Sequence, residues 1–398
     1  MPKRAYVIGT LDTKAEELRY VKALLQEAGV SACLVDVSTQ GKVSGADVNA
    51  EQVAAYVPNA TAILAKQDRG ESMAVMSDAL AKFILAQNDV GGVLGLGGSG
   101  NSTLVSSALR ALPIGIPKIL VSTQAAGNVG PYVGASDICM LYSVTDMAGL
   151  NSVSRVVLAN AAHGLAGMMQ RSAPSSKHEK PMLGLTMFGV TTPCVMRLRD
   201  ALDKKYDCLV FHATGTGGRS MEKLADDGHL KAVLDITTTE VADLLSGGIF
   251  PATEDRFGCI ARRKTPWIGS VGAVDMVNFG APDLVPERYK GRNFYRHNPH
   301  NTLMRTTRDE NRAIGEWIGK KLNLCDGPVC MLLPEGGVSA LDAPGKQFHD
   351  PEADATLFDA LERTIKQTKD RKLIRLKQHI NDPAFADAVL AQFQELVK

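Results

Sequence analysis

Short apolar runs alternate along the chain with longer segments whose apolar residues recur every three or four positions. That is the pattern of strands buried on both faces and separated by amphipathic helices. Residues 5–8 form an apolar run closed by Gly9, and residues 14–28 carry Leu18, Val21, Leu24 and Leu25 at helical spacing up to Gly29. With the β-branched run at 32–37, the opening predicts a βαβ unit with a right-handed crossover. Runs at 60–65, 92–96 and 118–121 predict further buried strands, with helices over 72–87 and 102–112 between them. A long apolar helix is predicted over 151–169, where a core or interface role suits His163, and residues 171–180 are the most polar, turn-prone stretch in the middle of the chain.

After that stretch the pattern restarts: strand 182–188, turn 189–193, helix 194–202, strand 208–212. The segment 355–398 is helical by composition and broken near Asp382-Pro383. The expectation is an α/β protein of two Rossmann-like, doubly wound parallel-sheet domains. Residues 1–175 form the nucleotide-binding one; residues 181–398 form the other, with a long polar loop and a helical tail. The loop after the first strand and the loop at 189–192 occupy corresponding places, which suggests an ancient duplication.

Composition narrows the function. At 398 residues, 45% hydrophobic and 22% charged, the chain reads as globular. Lys plus Arg is 44 and Asp plus Glu is 43, so no basic excess is present to neutralise a nucleic-acid backbone. No apolar stretch approaches a membrane span of ~20 residues. The N-terminus reads as a strand and not as a signal peptide, and seven scattered cysteines form no zinc or redox pair. The expected location is cytoplasmic, without direct nucleic-acid or membrane contact.

Open α/β sheets bind ligands at the carboxyl ends of their strands, so the loops there carry the candidate chemistry. The richest is Gly95-Leu96-Gly97-Gly98-Ser99-Gly100-Asn101-Ser102-Thr103, between a strand and a helix. Its glycines let backbone amides approach an anion, and its hydroxyls either cap the helix or bond a phosphate. It matches neither GxxxxGK[ST] nor GxGxxG, and a packing turn is the alternative. Gly9-Thr10-Leu11-Asp12-Thr13-Lys14 adds a carboxylate for Mg²⁺ or ribose and an amine for phosphate, with a plain helix cap as the competing account. Asp36 occupies the place of a ribose-binding acid, with simple solvation as the alternative. Thr123, after the fourth strand, completes a ring of small polar loops.

In the second half, Thr191 and Thr192, the His212-to-Ser220 loop with Thr214, Gly215, Gly217 and Gly218, then Thr237 and Thr238, and Glu335-Gly336-Gly337 form a second candidate anion site. Glu240 there fits a capping box as well as it fits catalysis, and a packing turn competes at 334–339. Candidate catalytic residues are Asp12, to position a metal ion, and His212 and Glu335, as acid or base. His297 and His300, in a polar stretch read as irregular, are separated by Pro299 and have no third ligand at fixed spacing, so no metal is assigned.

The stretches 8–14, 95–103, 211–218, 235–240 and 333–337 together resemble an ATP-binding family typified by the N-terminal region of the tomato mosaic virus resistance protein and its bacterial two-domain relatives. The resemblance spans nearly the whole chain. It implies two Rossmann-like domains, a dimer, and ATP on residues 9–13 and 97–103; Mg²⁺ is expected with the nucleotide, positioned by Asp12. Plant members continue into a barrel resembling phosphoenolpyruvate hydrolases, so a separate barrel protein of that kind is an expected partner. Three readings stand: ATP-coupled chemistry on a small anionic metabolite in an interdomain cleft, a non-catalytic ATP-responsive module, and a phosphometabolite enzyme that uses no nucleotide.

Overall fold

In the computed structural model, residues 2–40, 45–171 and 180–397 are described, and the chain divides into two compact units, residues 1–175 and 176–398. The N-terminal unit runs β1 (Arg4–Gly9), α1 (Leu11–Glu27), β2 (Ala32–Asp36), α2 (Ala50–Ala54), α3 (Ala60–Ala65), α4 (Arg69–Leu85), β3 (Val90–Gly97), α5 (Ser99–Ala111), β4 (Lys118–Ser122), α6 (Gly130–Val133), β5 (Cys139–Tyr142) and α7 (Ser152–Gln170). Its five strands are parallel in the order β2-β1-β3-β4-β5. Alternation along the strands feeds two cores. Tyr6 and Ile8 pack with Met76, Leu80, Leu104 and Val105 of α4 and α5, while Ala5 and Val7 pack with Leu18, Val21, Leu158 and Leu165 of α1 and α7.

The C-terminal unit contains β6 (Met182–Met187), α8 (Thr192–Leu202), β7 (Asp207–His212), α9 (Thr216–Asp226), β8 (Leu230–Thr237), α10 (Thr239–Ser246), α11 (Gly258–Arg263), β9 (Trp267–Gly272), β10 (Met276–Phe279), β11 (Phe294–Asn298), β12 (Asn301–Arg305), α12 (Arg308–Leu322), β13 (Val329–Pro334), α13 (Pro351–Thr364), β14 (Arg371–Leu376) and α14 (Pro383–Leu396). Six strands form a parallel sheet in the order β14-β13-β9-β8-β6-β7, and β10-β12-β11 form a small antiparallel sheet. Renumbered within each unit, both parallel sheets begin 2-1-3-4-5. In this doubly wound order the chain reverses direction between the first and third strands, and the crevice at that switch point is where ligands bind. For the N-terminal sheet the switch lies between β1 and β3.

Four expectations from the sequence are corrected. Residues 60–65 are helix α3 and not a strand; a run of six residues, five of them apolar, carries no decisive period, and only Ala60 among them is buried. The polar stretch at 294–305 is not irregular but the hairpin β11–β12. The tail is not continuously helical: β14 joins the edge of the sheet beside β13. His163 of α7 is exposed, which removes the core half of its core-or-interface reading. Most of the polar stretch expected at 171–180 lies outside the described residues. Among the described residues, no helix is long and apolar enough to cross a membrane.

Candidate functional site

At the N-terminal switch point, β1 and β3 deliver their loops side by side. A Cβ on Gly9 would meet Asn101 Nδ2 at 3.1 Å, so the two loops touch. The glycine-rich loop is shorter than it reads: β3 extends to Gly97, and α5 starts immediately after Gly98. Gly97 has φ +151° and packs against Asn101, which leaves no room for a side chain. Gly98 and Gly100 are different. Around a Cβ on Gly98 the nearest atom is Thr123 Oγ1 at 3.9 Å, and around one on Gly100 it is Arg69 Nη2 at 3.7 Å. The N-cap Gly98 has no side chain to cap α5, so no N-cap side chain covers the first-turn N–H groups and positive dipole end of the helix, and the Arg69 guanidinium lies beside that turn.

The polar side chains of that loop are engaged elsewhere, contrary to their reading as phosphate ligands. Asn101 Nδ2 donates to the Leu96 carbonyl. Ser102 Oγ is fully buried 2.6 Å from Ser122 Oγ, and Thr103 Oγ1 donates to Ser99 O at 2.9 Å. Ser99 is exposed. Thr123 Oγ1 accepts from Gln124 Nε2 at 3.2 Å.

The first loop also divides. Asp36 is buried, and its Oδ1 accepts from Leu11 N (3.0 Å), Ser38 N (2.9 Å) and Ser38 Oγ (2.5 Å). It therefore anchors the start of α1 as well as bordering a cleft of about 700 Å³, whose walls include Ser38, Thr39, Gln40, Ala54, Leu64 and Gln67. Lys14, read as a phosphate contact, is tied to the Met147 carbonyl. Thr10 and Thr13 bond each other through their hydroxyls at 2.9 Å, so neither caps α1 through its side chain. Asp12 is exposed; partial desolvation lifts its carboxyl above the usual range, and Asp36 adds to that rise.

The second candidate anion site is closed from within. Glu240 Oε1 accepts from Gly215 N (2.7 Å) and Gly218 N (3.1 Å), and a Cβ on Gly217 would overlap the His212 carbonyl. Arg256, buried to 2% exposure, lies among Asp235 (2.8 Å), Glu240 (3.3 Å) and Glu222 (3.3 Å). Burial pushes the Glu222 carboxyl up to about 7 against that pairing. Thr191 and Thr237 share a buried hydroxyl contact of 2.7 Å, Thr238 donates to Ser270 O, and Thr192 and Thr214 donate to the carbonyls of Phe188 and His212. Around Gly336 and Gly337 the turn is a packing turn: a Cβ on Gly336 would strike His379 N at 2.6 Å, one on Gly337 would overlap Asp342 O, and Val338 N donates to Asp342 Oδ2 at 2.9 Å.

Of the two candidate acid–base groups, Glu335 is already ion-paired, whereas His212 keeps an exposed imidazole. Glu335 is held by Lys377 (2.6 Å) and Arg375 (2.7 Å), which keep its carboxyl below the usual range, so at neutral pH it has no proton to give. His212 is stacked on Phe188 at 5.1 Å, and partial desolvation lowers its basicity.

Sequence reasoning missed the cluster of Asp275, Asp342 and Asp354 around buried Arg305, where Arg305 Nη2 meets Asp354 Oδ1 at 2.8 Å and Asp275 Oδ2 accepts from Ser339 Oγ at 2.8 Å. It also missed Arg69, which no motif marks. Among the described residues no group of three His, Cys, Asp or Glu side chains is arranged to hold a metal ion.

The N-terminal domain of the Uncharacterised protein family UPF0261 matches residues 3–174, and its C-terminal domain matches residues 180–397. A UPF0261 protein of Mesorhizobium japonicum is 59% identical over 390 residues, covering 98% of each chain. The ToMV resistance protein Tm-1 of Solanum lycopersicum is 43% identical over 419 aligned positions, which take in 99% of this chain and 56% of that protein. Among solved structures, a UDP-N-acetylglucosamine 2-epimerase from Rickettsia bellii aligns with 67% of this chain and 78% of its own at 11% identity, with a TM-score of 0.24. With both domains matched over nearly their full lengths, the chain belongs to the UPF0261 family.

Proposed function

We propose that the N-terminal domain binds ATP. The observation that carries this reading is the start of α5: a helix with an uncapped glycine N-terminus, no atom closer than 3.7 Å to a Cβ on Gly98 or Gly100, and Arg69 alongside, at the sheet's switch point. Backbone amides and a nearby guanidinium suit a polyphosphate. On the β2 side, the cleft of about 700 Å³ offers Asp36, Ser38 and Gln40 to ribose hydroxyls and Ala54 and Leu64 to a base. Asp12, an exposed carboxylate in the loop after β1, would be the ligand for Mg²⁺, which takes one or two carboxylates together with phosphate oxygens and neutralises their charge.

The closure of both C-terminal glycine turns by Glu240 and Asp342 favours a nucleotide-responsive binding protein over ATP-coupled chemistry on an anionic metabolite in that domain. A homodimer and a barrel-protein partner rest on the family resemblance alone.

Calorimetry with ATP, ADP and AMP-PNP, each with and without Mg²⁺, set against a panel of phosphorylated metabolites, tests the reading. Saturable adenine-nucleotide binding, with no product from labelled ATP under single-turnover conditions, is the expected result. Binding of phosphometabolites without any nucleotide binding would overturn it.

A further inference from the structure

The end of α3 supplies one wall of the cleft of about 700 Å³ beside β2, and Leu64 and Gln67 both border the cleft there. Gln67 N donates to Leu64 O at 3.2 Å, so the glutamine stands one turn beyond the side chain assigned to a base. Its own side chain is exposed, and its carboxamide makes no hydrogen bond to the described residues. Gln67 has φ +57°, a conformation that glycine adopts freely where a helix ends. The turn therefore does not require a side chain at this position, and an exposed one fills no core. Arg69 follows two residues later, at most about 7 Å along the chain, and its Nη2 lies 3.7 Å from the position of a Cβ on Gly100. One short connection thus borders the cleft at Gln67 and the start of α5 at Arg69.

The other polar groups of the cleft are engaged or differently suited. Asn49 Oδ1 caps α2, accepting from Gln52 N at 2.9 Å, and Ser38 Oγ donates to Asp36. Among the described residues, no wall of the cleft carries a Lys or Arg. A free carboxamide offers a donor and an acceptor side by side, which complements the N7 and the N6 amino group of adenine. Guanine and hypoxanthine present two acceptors, O6 and N7, on the same edge, and that pair is matched by Arg or Lys.

We propose that Gln67 is a specificity-determining residue whose carboxamide selects adenine by bonding N7 and the N6 amino group of the base. Gln67 has this role only if the nucleotide reading holds; the residue and the base edge it recognises go beyond that reading.

Calorimetry on the full chain with Mg²⁺ and each of ATP, ITP, GTP and 7-deaza-ATP tests it, for the parent chain, Gln67→Leu and Gln67→Gly. The parent chain is expected to bind ATP roughly tenfold more tightly than the other three, each of which lacks one half of the donor and acceptor pair. Both variants should lose roughly that factor for ATP and change little for the analogues, so the preference disappears. Gln67→Gly also relaxes the left-handed backbone, so its melting temperature should equal or exceed that of the parent chain, which separates lost reading from a lost fold. Equal affinity of the parent chain for all four nucleotides, a preference that survives in both variants, or a uniform loss across the four would each overturn the assignment while leaving the nucleotide reading in place. A preference for GTP would overturn it too and point to Glu51, another wall residue, as the acceptor for guanine N1–H and its N2 amino group. Failure of all four to bind removes the nucleotide reading itself, and Gln67 with it.

Discussion

Glu240 Oε1 sits 2.7 Å from the amide nitrogen of Gly215, so the carboxylate that fills the glycine-rich turn before α9 belongs to the chain itself. The same side chain reaches Arg256 at 3.3 Å, in a cluster where three carboxylates share one guanidinium. Removing the charge and removing the acceptor should then have different costs. Glu240→Gln keeps an oxygen for the Gly215 and Gly218 amides and relieves excess negative charge, so a loss of about 1 kcal/mol or less is expected. Glu240→Ala leaves two buried amides and part of Arg256 unpaired and should cost about 3–5 kcal/mol. Urea midpoints for the two variants check this, and equal losses would mean that the carboxylate is not acting as the anion of the turn.

At the start of α5, neighbouring glycines carry opposite predictions. Gly97→Ala must force a side chain into φ +151° and against Asn101, so it should destabilise the N-terminal domain by about 1–3 kcal/mol. Gly98→Val places its side chain where only Thr123 lies near, so the fold should persist while nucleotide affinity falls at least a hundredfold through blocked amides. Arg69→Ala should weaken ATP more than adenosine, by roughly tenfold. Calorimetry beside thermal melts separates these effects; unchanged ATP affinity in Gly98→Val would remove α5 from the account.

How far these sites were legible follows from where their partners lie. The parallel strands β1, β3 and β4 announce themselves as apolar runs because both faces are buried. The edge strand β14, Arg371–Leu376, does not: charged residues interrupt its apolar ones, and its Arg375 pairs with Glu335. The turns that hold an anion were visible as glycine clusters, but their occupants were not. Glu240 lies 25 residues from Gly215 and Asp342 lies 4 from Val338, and whether such a carboxylate folds back into a turn depends on helix placement, not on spacing within the turn. Arg69 escaped for the same reason, since α4 brings it to α5 from outside any loop motif.

The cluster around Arg305 makes stability depend on pH. Burial, reinforced by Asp342, pushes Asp275 up to about 7 and Asp354 up to about 8, whereas both titrate near 4 when unfolded. Folded-state values above unfolded ones mean that the native chain holds protons the unfolded chain releases. The stabilisation is complete below about pH 4 and is lost as pH rises through 7 to 8. The denaturant midpoint of the C-terminal domain should therefore fall between pH 5 and 8, by on the order of 1 kcal/mol per pH unit for each proton involved. Asp275→Asn removes the charge that Asp342 repels, so it should flatten that slope and match or exceed the parent chain at pH 8. A parallel decline in both proteins would place the titration elsewhere.

Asp36 offers the last separation of structure from binding, because one of its oxygens already serves the fold. Oδ1 accepts from Leu11 N and from both the amide and the hydroxyl of Ser38, and the residue also borders the cleft assigned to ribose. An amide in its place keeps one acceptor but loses the charge that strengthens those three bonds and complements the start of α1. Asp36→Asn should accordingly lower stability by about 1–2 kcal/mol. If the other oxygen meets a ribose hydroxyl, the parent chain will prefer ATP over 2′-deoxy-ATP or 3′-deoxy-ATP, and the variant will lose that preference even where it still folds and binds. Titrations of the three nucleotides on both proteins below their melting ranges decide the matter. A preference that survives the substitution would leave Asp36 as an anchor for α1 alone and assign the sugar to other walls of the cleft.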